Sequence, residues 1–373
     1  MSITIKKVSS RKELKEFILF PEMLFKDEPM WVPSLISDEF NTLDKKKNHS
    51  FKNADADYFL AYKDGKLVGR VAAIINNNAN VCWEHKAVRF GWIDFIDDIE
   101  VSKALIDTVK EWGRERGMNE IKGPLGFTDM DKEGLLVDGF DNLSTMVCIS
   151  NPPYYMEHFE ELGLVKDVDW IQYSFYLPKK TPEKLVRFSE LIQKRYGLRI
   201  LQLKDKKRLL EFGQKIFELY NEAYSPLYEF APLNEEQIKD YVKQYIPMVN
   251  PELLCLVVNN NDDLVGFAVT MPSLSEALQK SKGRLFPFGF RHLLKALKKS
   301  TVLDLYLVGV QKEYQNKGLT AVIYHYLHQN SRKFGIRKVI TNPQLEENYA
   351  IQQSFQYYEK VPFQRRRSYI AKL

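Results

Sequence analysis

Tyr306-Leu-Val-Gly-Val-Gln-Lys-Glu-Tyr-Gln-Asn-Lys-Gly-Leu-Thr320 runs from an apolar strand through a short polar loop into a helix. Leu319, Val322, Ile323, Tyr326 and Leu327 recur at i, i+3, i+4, i+7 and i+8, one face of a helix predicted from Leu319 to about Phe334. A strand, a glycine-containing loop and a helix N-terminus together make an anion site. Backbone N–H groups converge there, and the helix dipole adds positive potential. The fold is read outward from this junction.

Leu253–Val258 and Leu264–Thr270, before the junction, form a hairpin around an Asn/Asp-rich turn. The same order occurs earlier. Tyr58–Ile75 holds two apolar runs around Asp64-Gly65, a strong hairpin signal. Val88–Ile96 is then a strand, Ser102–Arg116 a helix closed by Gly117, and Glu120–Gly123 a short strand. Leu67-Val-Gly69 corresponds to Leu264-Val-Gly266 at an offset of 197. A period this long implies two copies of a domain, not a solenoid. The earlier strand-to-helix junction differs in chemistry. Phe95-Ile-Asp97-Asp98-Ile-Glu100 has three carboxylates and no glycine. It would repel a pyrophosphate. The acids read first as helix caps, and second as a cation or amine site.

The 373 residues suggest two domains. A 45% apolar, 28% charged composition is that of a globular protein. No apolar run is long enough for a membrane span, and Met1–Lys7 lacks the apolar core of a signal peptide. Cys82, Cys148 and Cys255 are too scattered for a disulfide framework or zinc, and with six histidines in no metal pattern they predict a cytoplasmic, metal-free protein. Residues 1–178 carry 22 Lys/Arg against 30 Asp/Glu, and residues 179–373 carry 32 against 19. The basic half holds the anion-type loop, which fits an anionic ligand, although mutual attraction of the halves explains the division equally well.

The remaining stretches are less specific. Ser10 and Glu13 form a capping box ahead of the first helix. The Gly123–Gly134 loop and Asn151-Pro-Pro-Tyr-Tyr155 read as interface packing, with substrate contact as the sharper alternative. Pro178–Pro182 is a linker leading into a helix over Glu183–Tyr196. Met271–Ser300 is a basic, aromatic insertion, read first as a lid on its own domain. A membrane surface, RNA phosphates or an acyl chain are its alternative partners. Arg365-Arg-Arg367 reads as a solvated edge or a phosphate contact.

Gln315-Asn316-Lys317-Gly318-Leu319-Thr320 resembles the Q/R-x-x-G-x-G/A loop of the GNAT acyltransferase superfamily, with Thr320 where Gly or Ala is usual. The whole chain resembles a bacterial family of tandem GNAT-like proteins. Asp64-Gly-Lys-Leu-Val-Gly-Arg70, Gly123-Pro124, Asn151–Tyr155, Gly283-Arg-Leu-Phe-Pro287 and Gly309–Gln315 carry that resemblance. It implies an α/β (α+β) chain of two GNAT-like domains, each a mixed, mostly antiparallel sheet flanked by helices. Residues 1–178 would be a degenerate copy, 179–197 a linker helix and 198–373 the acyltransferase domain.

The resemblance also implies a chemistry. Residues 315–320 would hold the pyrophosphate of acetyl-CoA or another acyl-CoA, and Asn348 would match the Asn that follows the fifth strand. Backbone N–H groups of a splayed strand, here including Val308 and Val310, would polarise the thioester carbonyl. The departing thiolate needs an acid. Counting seven residues from Asn348 lands on Phe355, which cannot donate. Aligning Tyr358-Glu-Lys-Val-Pro-Phe363 with the family's Tyr-Glu-x-x-Gly-Phe ending makes Tyr358 the acid. Glu229 is the first candidate base and Asp304 the second. The acceptor would be a small-molecule or peptide amine. Aminoacyl transfer from tRNA and non-catalytic CoA or acyl binding are the alternatives, and the oligomeric state is left open.

Overall fold

Asp64 and Gly65 both take positive φ, 50° and 77°. A two-residue hairpin turn needs this pairing to match the twist of its strands. The structure is a computed structural model and describes residues 3–203 and 205–373. Its strands are β1 (Ile3–Lys7), β2 (Ala54–Lys63), β3 (Lys66–Asn76), β4 (Ala87–Phe95), β5 (Glu120–Gly123), β6 (Leu135–Asp138), β7 (Val165–Tyr176), β8 (Arg199–Ile200), β9 (Leu254–Val258), β10 (Leu264–Pro272), β11 (Val302–Val310), β12 (Lys338–Thr341), β13 (Gln344–Leu345) and β14 (Val361–Lys372).

The backbone divides into two compact units. The first contains the chain up to Trp170 together with Ser275–His292 and Gln364–Leu373. Its strand order is β1-β2-β3-β4-β5-β14, with β6 also on β14. All neighbours are antiparallel except β4 and β5. The second contains Ile171–Leu274 and Leu293–Phe363. Its order is β7-β12-β11-β10-β9-β8, and only β11 and β12 are parallel. The repeated order realises the duplication expected from the 197-residue offset.

The units do not follow the linear division of the sequence. The strand beside β5 is β14, with Tyr369 opposite Gly123 and Ala371 opposite Ile121. The strand beside β12 is the later part of β7, with Phe175 opposite Val339. Each copy's closing strand therefore lies beside the other copy's parallel pair. The exchange also redistributes charge: the first unit carries 30 Lys/Arg against 31 Asp/Glu, and the second 24 against 18. Most of the asymmetry between sequence halves disappears, because Arg365, Arg366, Arg367 and Lys372, with Lys280, Lys282, Arg284 and Arg291 of the insertion, join the acidic half.

In the first unit Ser10 and Glu13 close the capping box that starts the helix Arg11–Leu24. One sheet face packs Phe90, Phe95, Leu105, Val109 and Phe159; the other packs Phe17, Tyr58, Leu60 and Ile74. Arg365–Arg367 are internal ties, which corrects both expectations for them. Arg365 and Arg367 clamp the buried Asp169 at 2.9 and 2.8 Å, and Arg366 is fully buried against Gln364 at 2.7 Å. In the second unit the helix Leu319–Lys333 puts Leu319, Val322, Ile323 and Leu327 into a core with Cys255, Val257, Leu303, Leu305 and Phe355. Among the described residues no helix is long and apolar enough to cross a membrane.

Candidate functional site

The site begins where two strands part. β11 pairs with β12 only over Val302–Leu305. Its other edge stays on β10 as far as Val310 opposite Gly266, with one extra residue, Tyr306, where Leu305 faces Thr270 and Leu307 faces Val269. A bulge increases local twist and re-aims the strand. Among the described residues the pairing of β11 with β12 goes no further than Leu305 opposite Thr341. The Val308 N–H on this stretch donates to the Tyr224 hydroxyl at 3.4 Å. The Lys312 N–H, just past the strand, donates to Glu222 Oε1 at 3.2 Å. Both acceptors come from the last turn of the helix Lys206–Tyr224.

Asp304 lies two residues before the bulge and is 2% exposed. The Tyr306 hydroxyl donates to its Oδ2 at 3.3 Å, and its Oδ1 has no hydrogen-bond partner among the described residues. Burial pushes this carboxyl up to about 7, against the pull of hydrogen bonds from Ser273 and Tyr306. Desolvation disfavours the charged form, which makes the group a proton acceptor at near-neutral pH. Two further buried acceptors, Asn342 Oδ1 and Gln344 Oε1, have no hydrogen-bond partner among the described residues and follow directly on the parting strand β12.

The loop after β11 is a tight turn. Asn316 and Gly318 have φ of 58° and 81°, on either side of the exposed Lys317. The helix Leu319–Lys333 starts with Gly318 at its cap and no side-chain cap hydrogen bond. Its first N–H groups are thus left without the side-chain acceptor that helix starts commonly recruit. Glycine is needed at 318 for the left-handed backbone and for space: a Cβ would stand 2.7 Å from the Phe188 ring. Gln315 gives its amide to Val310 O at 3.1 Å. Leu319 is anchored in the core, and Thr320 is half-buried. The Lys317 ammonium lies 5.6 Å from the Tyr196 ring centre and 5.7 Å from that of Tyr314.

The other predicted residues lie in different surroundings. Asn348 caps the short helix Tyr349–Ser354, accepting from the Ile351 N–H at 3.3 Å. Phe355 is fully buried, 5.0 Å from the Tyr324 ring. Tyr358 stacks on Phe175 at 4.6 Å and meets His328 Nδ1 at 3.2 Å. His328 Nε2 is 3.2 Å from the Pro178 carbonyl, which can only accept. Nε2 therefore carries the ring proton, and Nδ1 takes the hydrogen of Tyr358. Burial pulls His328 down to about 4, so the ring is neutral at pH 7. Glu229 is buried in the loop after Tyr224, in a left-handed conformation with φ of 58°.

The structure thus links Asp304 to Tyr306, Val308 to Tyr224 and Val310 to Gln315, while Tyr358 and Asn348 are bound into the short helix and its core. Tyr306, Tyr224 and Glu222 have no role in the sequence reading. Tyr306 heads the decisive stretch and Tyr224 precedes the loop that holds Glu229, but only the ladder register shows what they meet. Among the described residues no group of three or more His, Cys, Asp or Glu is placed to hold a metal ion.

A strand pair parted beside a glycine-capped helix defines a class. Residues 213–356 match the model of the acetyltransferase (GNAT) family. The whole chain has the fold of tandem GNAT proteins. It matches one from the clavulanic acid biosynthesis pathway with a TM-score of 0.57 and 11% identity, over 100% of this chain and 98% of that one. Two relatives align along most of their length. Protein YghO of Escherichia coli (strain K12) is 29% identical over 342 residues, 88% of this chain and 84% of its own. A protein of Caulobacter vibrioides (strain NA1000 / CB15N) named bacterial ceramide synthase is 28% identical over 334 residues, 87% of this chain and 85% of its own.

Proposed function

We propose that the protein is an N-acyltransferase that moves an acyl group from a coenzyme A thioester to an amine. The observation that carries this reading is the parted edge of β11, where the Val308 N–H faces a side-chain hydroxyl instead of a strand. A thioester carbonyl that displaced the Tyr224 hydroxyl would accept that hydrogen bond, and its carbon would become more electrophilic. The uncapped start of Leu319–Lys333, with Asn316, Lys317 and Thr320 around it, is the pyrophosphate site in this reading.

Asp304 is assigned as the base, ahead of Glu229. It takes the ammonium proton as the amine nitrogen bonds to the carbonyl carbon and the carbon–sulfur bond breaks. Tyr306, already donating to Asp304, is assigned as the proton source for the departing thiolate. Tyr358 is not given that part, because its hydrogen is directed to His328. The likeness to the Caulobacter protein supports a long-chain amino alcohol as the acceptor class and a fatty acyl-CoA as donor, with acetyl-CoA as the short-chain comparison. Free-thiol release, followed for acyl-CoA donors of increasing length against a panel of amines, tests both halves of the reading. The expected result is release that requires an amine and is fastest with a long-chain amino alcohol. Absence of amine-dependent release with every donor, together with no acyl-CoA binding by calorimetry, would overturn it.

A further inference from the structure

Between Glu276 and Asp304 the chain has no acidic residue and seven Lys or Arg. In the same stretch the structure leaves large apolar side chains in water. Phe286 is 78% exposed, Phe288 63%, Phe290 37% and Leu294 52%. The helix Gly289–Lys299 shows how this arises. Phe290, Leu293, Leu294 and Leu297 lie at i, i+3, i+4 and i+7, a single apolar stripe. Only Leu293 is buried, so the stripe is wider than the protein covers. Arg291, Lys295 and Lys298, at i, i+4 and i+7, run beside it. The Arg291 guanidinium lies 5.3 Å from the Phe288 ring centre, and the Phe286 and Phe290 rings are 6.2 Å apart.

This projection is held in place, not loose. Arg284 forks onto both carboxylate oxygens of Glu22 at 2.7 and 2.8 Å. The Ile36 N–H donates to Gly283 O at 3.0 Å. Gly283 has φ of 69°, and a Cβ there would stand 2.1 Å from Ser34 O. The turn that lifts the phenylalanines into solvent therefore depends on a glycine.

We propose that Phe286, Phe288, Phe290 and Leu294 form a peripheral docking surface for an anionic lipid bilayer, with Arg291, Lys295, Lys298 and Lys299 meeting the headgroups. Apolar side chains flanked by cations, on a stretch of chain with no carboxylate of its own between Glu276 and Asp304, complement a negatively charged interface. The aliphatic Leu294 within the patch favours acyl chains over nucleic-acid bases, which stack on rings. The inference stands on this segment alone and is independent of the acceptor proposed above.

Co-sedimentation of the full chain with phosphatidylcholine vesicles, with and without phosphatidylglycerol, tests it. The protein is expected to bind the anionic vesicles and to be released by salt. Phe286→Ser with Phe288→Ser should weaken binding at least about tenfold, since each ring loses its transfer from water. Lys295→Gln with Lys298→Gln should cost about fivefold per charge on anionic vesicles and nothing on neutral ones. All four side chains are exposed, so melting temperatures should stay at the wild-type value. Failure to bind vesicles, or binding indifferent to the phenylalanine pair, would overturn the proposal. So would tighter binding of a single-stranded RNA oligonucleotide than of anionic vesicles.

Discussion

Strands β4 and β11 occupy the same place in their units, each antiparallel to a hairpin partner, parallel to a short neighbour, and bulged. They end differently. At the end of β4 the Phe95 N–H donates to the Tyr155 hydroxyl at 2.8 Å, and the Tyr154 hydroxyl donates to Phe95 O at 2.6 Å. Three residues on, Asp98 caps the helix Ile99–Arg114 and pairs with Lys63. Asp98 is thus a cap, as the first reading of these acids held, while Asp97 lies 3.1 Å from His158 Nε2. Tyr154 and Tyr155 pack within the first unit, where Tyr155 is fully buried. At the end of β11 the corresponding helix has a glycine and no side-chain cap. One junction is satisfied by its own chain. The other keeps donors that its own side chains meet only partly, the condition under which a ligand gains by arriving.

The largest effect expected from breaking this contrast is at Asp304. Asp304→Asn should lower amine-dependent thiol release by about a hundredfold or more, the usual size of a lost general base. In the wild type the carboxyl is protonated below about 7, so the rate should fall as pH drops through that value; in the variant that limb should vanish. The sign for stability is opposite. A carboxyl raised in the folded state loses stability as pH climbs from the ordinary carboxylate range to about 7, so Asp304→Asn should melt higher than wild type at pH 8. A pH–rate profile and a pH series of melting curves check the two signs.

Giving the second junction the charge of the first is the next largest change. Thr320→Asp puts a carboxylate in the first turn of Leu319–Lys333 and should raise the KM for acyl-CoA about tenfold or more with little change in melting temperature. The reciprocal change, Asp98→Ala, should cost about 1 kcal/mol through the lost cap and leave the KM for acyl-CoA unchanged. Chemical denaturation and steady-state kinetics separate the two. The smallest effect is expected for Tyr358→Phe: about 1 kcal/mol from the lost hydroxyl contact to His328, and kcat within about twofold of wild type. A loss of kcat comparable to that of Asp304→Asn would return the acid's part to Tyr358.

Local chemistry made some of these features legible in the sequence. Asp64-Gly65, the Ser10–Glu13 box and Gly318 each specify backbone geometry within a few residues, and each forms as read. The helical stripe from Leu319 to Leu327 likewise found the core. What stayed hidden needs a partner distant in sequence. Arg365 and Arg367 look solvated until Asp169, nearly 200 positions away, is placed between them. The bulge at Tyr306 exists only relative to β10, and the meeting of Tyr224 with Val308 depends on it. Nothing within Val361–Lys372 itself says that β5 is to be its neighbour.

The place of β14 sets a timetable for biosynthesis. β5 is made early, yet its neighbour Gln364–Leu373 is synthesised some 240 residues later. At translation rates of about 5–20 residues per second, the edge of β5 waits roughly 12–50 seconds for its partner. During that interval an unpaired strand edge is open to incorrect pairing. The nascent chain therefore passes through a stage in which the first-made sheet depends on shielding from outside, and a ribosome that stalls before residue 364 releases a product that cannot close it.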